Sequence, residues 1–244
     1  MSMKKSFVLA AAALTLTAFI AGTTLSYFTD TDVATNTFTV GDLAIEEVET
    51  DWNNSEDGKD LYPGATRYKN PTVRNITDVE GGNEPGYVRM IVEVLDAQEN
   101  AITNQEALDL IWTTIRYDAD YNGTGTKKAT RAKLEENHVP GYSLAELGGY
   151  DLYNKRDFTE ASDYTGGNKR IFLYTANNGK LQAGEEATLF STIVIPTDWT
   201  QTQIQKVGNY QLKVSAEAIQ AKGFHTQAEA FRALDEEKAK AGNS

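Results

Sequence analysis

The chain has 244 residues, of which 40% are hydrophobic and 24% charged, with a formal net charge of −12 and no cysteine. Residues 1–26 carry two lysines and no acid, so the rest of the chain stands at −14; such a surface repels nucleic acid and anionic lipid and argues against a DNA- or RNA-binding role. Without cysteine there is no disulfide, thiol nucleophile, thiolate zinc site or iron–sulfur centre, so an exported form must be held by its core, by assembly or by other crosslinks.

The first 26 residues read as an export signal. Lys4 and Lys5 form a short positive region, and Phe7 to Ile20 is apolar apart from threonines, shorter than the ~20 residues of a membrane span. Gly22 to Ser26 are small apart from Leu25, which sets cleavage between Ser26 and Tyr27. The alternative is an uncleaved N-terminal anchor. With cleavage, contact with the membrane is confined to export.

Past the signal the elements are mostly strands. Thr37 to Val48 alternates through Phe38, Val40, Leu43 and Ile45, the period of a half-buried strand. Thr50 to Asp60 is an acidic loop. Pro63-Gly64 turns the chain into Thr66–Ile76, where Pro71 predicts an edge strand or a broken one. After the Gly81–Gly86 turn cluster, Val88, Met90, Val92 and Val94 share one parity without a polar interruption, which predicts a core-facing strand. Thr103–Glu106 reads as a cap before a helix bearing Ala107, Leu108 and Ile111. Ile115–Tyr117 is strand-like, Lys127–Asn137 is rich in helix formers, and Gly141–Gly167 reads as long loops with one or two short strands. Arg170–Thr175, Ala187–Ile195 and Tyr210–Ile219 are further strands. Gln227–Ala239 closes the chain as a helix with Ala228, Phe231 and Leu234 as its apolar stripe. Many strands separated by turns predict an all-β fold, an antiparallel β-sandwich or jelly roll with short helical insertions and loops.

Several motifs bear on chemistry. Asp118-Ala119-Asp120-Tyr121-Asn122-Gly123 opens like a calcium loop, with Asp118, Asp120 and Asn122 as oxygen ligands. Its twelfth position is Ala129 where a bidentate Glu belongs; the other reading is a polar loop with an Asn-Gly turn. The two histidines, His138 and His225, are far apart and form no His-Glu-x-x-His pattern. There is no Gly-x-Ser-x-Gly elbow, and the acids are too scattered to single out a catalytic pair. Nothing here requires an enzyme or a cofactor. Asn53, Asn75 and Asn122 each open an Asn-x-Ser/Thr triplet.

Tyr27–Phe38 is of another kind. It holds Phe28, Val33 and Phe38 among threonine, aspartate, alanine and asparagine, too little apolar surface for a core of its own. It is either a disordered chain end or a strand that completes the sheet of another molecule.

Spaced segments of the chain together resemble the TasA/camelysin (CalY) family of exported bacterial matrix and surface proteins. They are Ala21-Gly22-Thr23-Thr24 with Tyr27-Phe28-Thr29-Asp30; Asn36–Leu43; Leu61-Tyr62-Pro63-Gly64 with Lys69–Asn75; Tyr87-Val88-Arg89-Met90; Leu181–Glu185 with Leu189-Phe190 and Ile195-Pro196; and Ala216–Ala221. Residues 97–168 carry none of these segments. The resemblance implies a signal cut by a dedicated SipW-type signal peptidase. It implies a jelly-roll subunit, secreted to the matrix or surface of a bacterium, that polymerises with its own copies, or together with a second family subunit, into fibres or pili. It further implies a sheet that lacks a strand and presents an open groove, into which the next copy inserts its mature N-terminus as a donor. Carried onto this chain the donor is 27–38, with Tyr27, Phe28, Val33 and Phe38 as its apolar and aromatic residues. The organisation then runs 1–26 signal, 27–38 donor segment, 39–225 jelly-roll domain with a variable insertion containing helices over 97–168, and 226–244 helical tail. Camelysin-like members are described as metalloproteases, but no zinc motif here carries that activity over, and the expectation is a structural protein. Its rivals are a surface metalloprotease and a non-polymerising adhesin or anchoring minor subunit.

Overall fold

The computed structural model describes residues 29–33, 43, 45–48, 62–77, 84–117, 143, 145, 148, 150–162 and 167–241. All its strand pairings are antiparallel. The largest sheet runs β1 (Thr29–Val33), β12 (Tyr210–Gln220), β5 (Gly86–Asp96), β8 (Lys169–Tyr174) and β7 (Phe158–Glu160), with β9 (Lys180–Leu181) continuing along β5 past the end of β8. Two smaller sheets run β10 (Glu186–Thr188), β4 (Thr72–Asn75), β2 (Ile45–Val48) and β3 (Thr66–Tyr68), β11 (Thr192–Val194), β6 (Ile115–Arg116).

The smaller sheets are two halves of one bent ribbon. Thr72 pairs with Thr188 on one side of the bend and Tyr68 with Thr192 on the other. Between them the Lys69 N–H donates to the Ser191 carbonyl at 3.2 Å and the Leu189 N–H to the Pro71 carbonyl at 2.9 Å. Pro71 has no N–H to give, so the run Thr66–Ile76 breaks there as its sequence predicts. The partner run differs from its prediction. Ala187–Ile195 is not one strand but two, because the Ser191 N–H turns to the Arg116 carbonyl at 3.0 Å as the chain passes from one small sheet to the other.

The core lies between the large sheet and this ribbon. Val88, Met90, Val92 and Val94 are all fully buried and cluster with Ala216 and Ala218 of β12, Ile45 and Val73 of one small sheet, and Ile115 and Ile193 of the other. The uninterrupted apolar parity of β5 is thus its core face. Its other parity is also covered: Tyr87, Arg89 and Ile91 are buried. The cover over Tyr87 and Arg89 is the C-terminal helix. The fold is an all-β antiparallel sandwich with few, short helices.

Those helices follow their sequence signals. Helix α1 (Gln105–Trp112) starts at Asn104, whose side chain accepts from the Ala107 N–H, and buries Ala107, Leu108, Ile111 and Trp112. Helix α2 (Gln201–Val207) opens with a reciprocal Thr200–Gln203 capping box and packs against α1, with Lys206 ion-paired to Glu106. Helix α3 (Gln227–Ala241) buries Ala230, Phe231 and Leu234; Ala228, expected in its apolar stripe, is exposed instead. Residues at 227, 230, 231 and 234 make the inward face, one position round from the predicted one. Among the described residues no helix is long and apolar enough to cross a membrane.

Candidate functional site

The edge of the large sheet is formed by β1, which stands outermost beside β12. Its five residues pair antiparallel: Thr29 with Ile219, Asp30 with Ala218, Thr31 with Glu217, Asp32 with Ala216 and Val33 with Ser215. Strand β2 lies against both β1 and β12. A segment with two aspartates and one apolar residue has little surface to bury. Main-chain pairing with β12 is therefore the principal tie available to it.

Here an expectation is corrected. The resemblance implies an open groove in a single molecule. In the structure the edge of β12 is already occupied, by β1 of the same chain. A second copy can take that place only by exchange.

The stretch of β12 that receives β1 is also gripped from above. On the face away from the core, Tyr87, Ile219, Ala221 and Phe224 pack with Ala230, Phe231 and Leu234 of α3. Through this patch runs a charged network. Arg89 Nε donates to Glu217 Oε2 at 2.7 Å, and Arg89 Nη1 donates to Asp235 Oδ2 at 3.1 Å. A second guanidinium N–H goes to Asp235 Oδ1. Lys238 Nζ meets Glu217 Oε1 at 2.7 Å. The Arg89 guanidinium also lies 4.7 Å over the Phe231 ring. Burial alone would pull the Arg89 pKa down, but the hydrogen bonds and charges of Asp235 and Glu217 outweigh it and hold the group above its usual value. Helix α3 is fixed at its start by Gln227, whose Nε2 donates to the Tyr174 carbonyl at 2.8 Å, and by Thr226 Oγ1, which accepts from the Glu229 N–H at 3.1 Å.

Of the residues singled out in the sequence, Val33 lies in β1 opposite Ser215. Ser26, Tyr27, Phe28, Phe38, the calcium-loop candidates Asp118, Asp120 and Asn122, and His138 lie outside the described residues, as does the predicted helix Lys127–Asn137. His225 is exposed, its backbone N–H donating to Glu229 Oε2 at 3.1 Å. Among the described residues no three His, Cys, Asp or Glu side chains come together as a metal-ligand group, so no step of metal chemistry is derived for them. Asn75 is fully buried and its Nδ2 donates to the carbonyls of Glu84 and Leu181, each at 3.0 Å; it is a structural residue rather than a glycan acceptor.

The Arg89–Glu217–Asp235–Lys238 network was not anticipated from the sequence. Its signal was present: a single arginine in the apolar run Tyr87–Val92 and a single acid in Ala216–Ile219. Opposite charges isolated in two otherwise apolar strands point to each other.

The family model described as camelysin metallo-endopeptidase matches residues 2–120. That span takes in β1 to β6, while β12 and α3 lie beyond it. No curated protein and no solved structure matches the chain.

Proposed function

We propose that this chain, whose residues 2–120 match the camelysin metallo-endopeptidase family model, is a secreted structural subunit of the TasA/camelysin kind that polymerises head-to-tail into fibres of an extracellular matrix or cell surface. The mature N-terminal segment, from about Tyr27 to Phe38, leaves its own β12 and pairs with β12 of the next copy. One observation carries this reading: β1 is a terminal edge strand, five residues long, paired with β12 alone among the described strands. Exchange keeps the same strand-to-strand register and changes only which chain supplies it. Swapping an identical element costs little, and a head-to-tail contact that does not close makes a filament. It also stabilises each subunit through its neighbour, as suits a cysteine-free exported protein.

The register supplies the test. Val33 pairs with Ser215, and the natural chain has no cysteine to confuse a crosslink. Chains processed to begin at Tyr27 and carrying either Val33→Cys or Ser215→Cys are mixed, allowed to assemble and oxidised. Strand exchange gives disulfide-linked pairs of the two variants, and the double variant gives a ladder on a denaturing gel. Filaments in which the double variant crosslinks solely within single chains would refute exchange. Deleting residues 27–37 should leave folded monomers and no filaments by negative-stain microscopy.

The family description carries a second reading, a surface metallo-endopeptidase. Casein cleavage by a highly purified preparation, abolished by a chelator, would bring it forward. A subunit that only caps or anchors fibres of another family member would form filaments solely in mixtures with that partner.

A further inference from the structure

We propose that the first half of β12, Tyr210–Val214, is a further docking edge, taken in the filament by residues 34–38 of a second copy, so that pairing between copies is longer than pairing within one. Strand β12 runs for 11 residues and pairs with β5 along all of them. On its other side β1 pairs with Ser215–Ile219 alone. Among the described strands none pairs with Tyr210–Val214 on that side. Inward from this edge Val214 is buried, while Tyr210 and Leu212 on the same parity are only half-buried against the core. A row of free N–H and C=O groups beside half-covered apolar side chains fits an extended segment with an apolar end.

The occupant follows from the register. Carried forward past Val33, the pairing of β1 sets Ala34 opposite Val214 and Phe38 opposite Tyr210. A single chain cannot complete that pairing. Leu43 is fully buried against Gly86, its Cδ1 3.0 Å from where a Cβ there would stand. Gly86 pairs with Gln220, at the other end of β12 from Tyr210. From Tyr210 to Gln220 a strand rises about 33 Å, whereas the chain from Phe38 to Leu43 spans at most about 18 Å. Between copies this limit disappears, because Phe38 pairs on one body while Leu43 stays in the other. The same short link fixes the polarity of the contact. The Tyr210 end of the accepting copy must lie within about 18 Å of the Leu43–Gly86 end of the donating copy, which is a head-to-tail arrangement. Assembly thereby gains main-chain hydrogen bonds that one chain cannot make for itself. The inference rests on the strand exchange proposed above, and adds where the pairing ends and which ends of two copies meet.

Alternation along β12 supplies the test. The Ala221 N–H donates to the Pro85 carbonyl, so odd-numbered residues of β12 bond towards β5 and even-numbered ones, Leu212 among them, point their N–H outward. In chains starting at Tyr27 the Leu212 amide should exchange about tenfold more slowly in filaments than in monomers. The continued register sets Thr37 opposite Gln211, a pair whose separation suits a disulfide. Thr37→Cys chains mixed with Gln211→Cys chains, assembled and oxidised, should therefore give linked pairs, in a yield within about twofold of the Val33→Cys and Ser215→Cys mixture. Suppose that Val33 and Ser215 link different chains but Thr37 and Gln211 do not, or that the Leu212 amide is not slowed. Either result overturns the longer pairing and leaves strand exchange standing. A slowed Leu212 amide without the Thr37–Gln211 link means that something else occupies the edge, and overturns it as well. Filaments with neither link between chains overturn strand exchange and the longer pairing together.

Discussion

Arg89 and Glu217 are register partners on neighbouring strands and ion-pair partners across the same step, with the Arg89 side chain 7% exposed and that of Glu217 10%. Cross-strand pairs are the unit of sheet stabilisation, and this one is buried because α3 lies over it. Removing one partner of a buried pair leaves an uncompensated charge. Arg89→Ala should therefore cost about 3–5 kcal/mol in urea unfolding. Asp235→Ala removes a side chain 45% exposed and should cost less than about 1 kcal/mol. Equal costs would mean that the network acts through α3 docking as a whole and not through the Arg89–Glu217 pair.

Asn75 ties three parts of the chain together. Its Nδ2 holds the carbonyls of Glu84 and Leu181, and its Oδ1 accepts from the Thr77 N–H at 3.0 Å and from the Thr77 hydroxyl. Asn75→Ala leaves these buried groups without a partner at roughly 1–3 kcal/mol for each one orphaned. A fall in unfolding midpoint much smaller than that of a buried Leu→Ala change would contradict this. Expression in a glycosylating host should add no sugar at Asn75, a result read directly by mass spectrometry.

What the sequence made legible was the part governed by period and punctuation. The parity of Val88, Met90, Val92 and Val94 found the core face of β5, and Pro71 found the break between β3 and β4. The division of Ala187–Ile195 was not legible, because it depends on Ser191 meeting Arg116 from a distant strand. The burial of Tyr87 and Arg89 depends likewise on α3, which arrives some 140 residues later. At the edge, composition left Tyr27–Phe38 as either a disordered chain end or a strand, and the structure pairs Thr29–Val33 of it. Its partner β12, in the same molecule, is a matter of topology that no local pattern encodes.

Asp157 links the segment before β7 to the end of β8. Its carboxylate accepts from Asn154 Nδ2 at 2.7 Å and from Arg156 Nε and Nη2, each at 2.9 Å, while its carbonyl accepts from the Thr175 N–H at 2.8 Å. Burial would raise its pKa, but the hydrogen bonds from Arg156 and Asn154 and the Arg156 charge outweigh burial and hold it below the usual value. A carboxylate depressed on folding contributes stability above its unfolded pKa, near 3.9, and loses it as pH falls through the folded value. Asp157→Asn should thus be less stable than the parent at neutral pH, by about 1–2 kcal/mol. The gap should close as the pH falls below the unfolded value and through the lower folded one. A gap that stays constant with pH would show that the charge of Asp157 is not involved.

Tyr174 gives the opposite sign at the other end of the pH scale. Its ring is buried and edge-on to Phe158, with centroids 5.8 Å apart. Burial first, then the charges of Glu185 and Asp157, push its phenol up to about 12. Folding therefore favours the neutral phenol. That contribution is complete below the unfolded value, near 10, and is lost as pH rises from there through 12. The Tyr174→Phe chain forgoes the hydrogen bond that Asn177 Nδ2 donates to the phenol oxygen at 3.3 Å, a long contact of small worth. Between pH 10 and 12 it should lose less stability than the parent, measured by urea midpoints. Its phenolate absorbance should lack the step near 12. If that step survives the substitution, the late-titrating tyrosine is another one, and the burial of Tyr174 does not govern the alkaline limb.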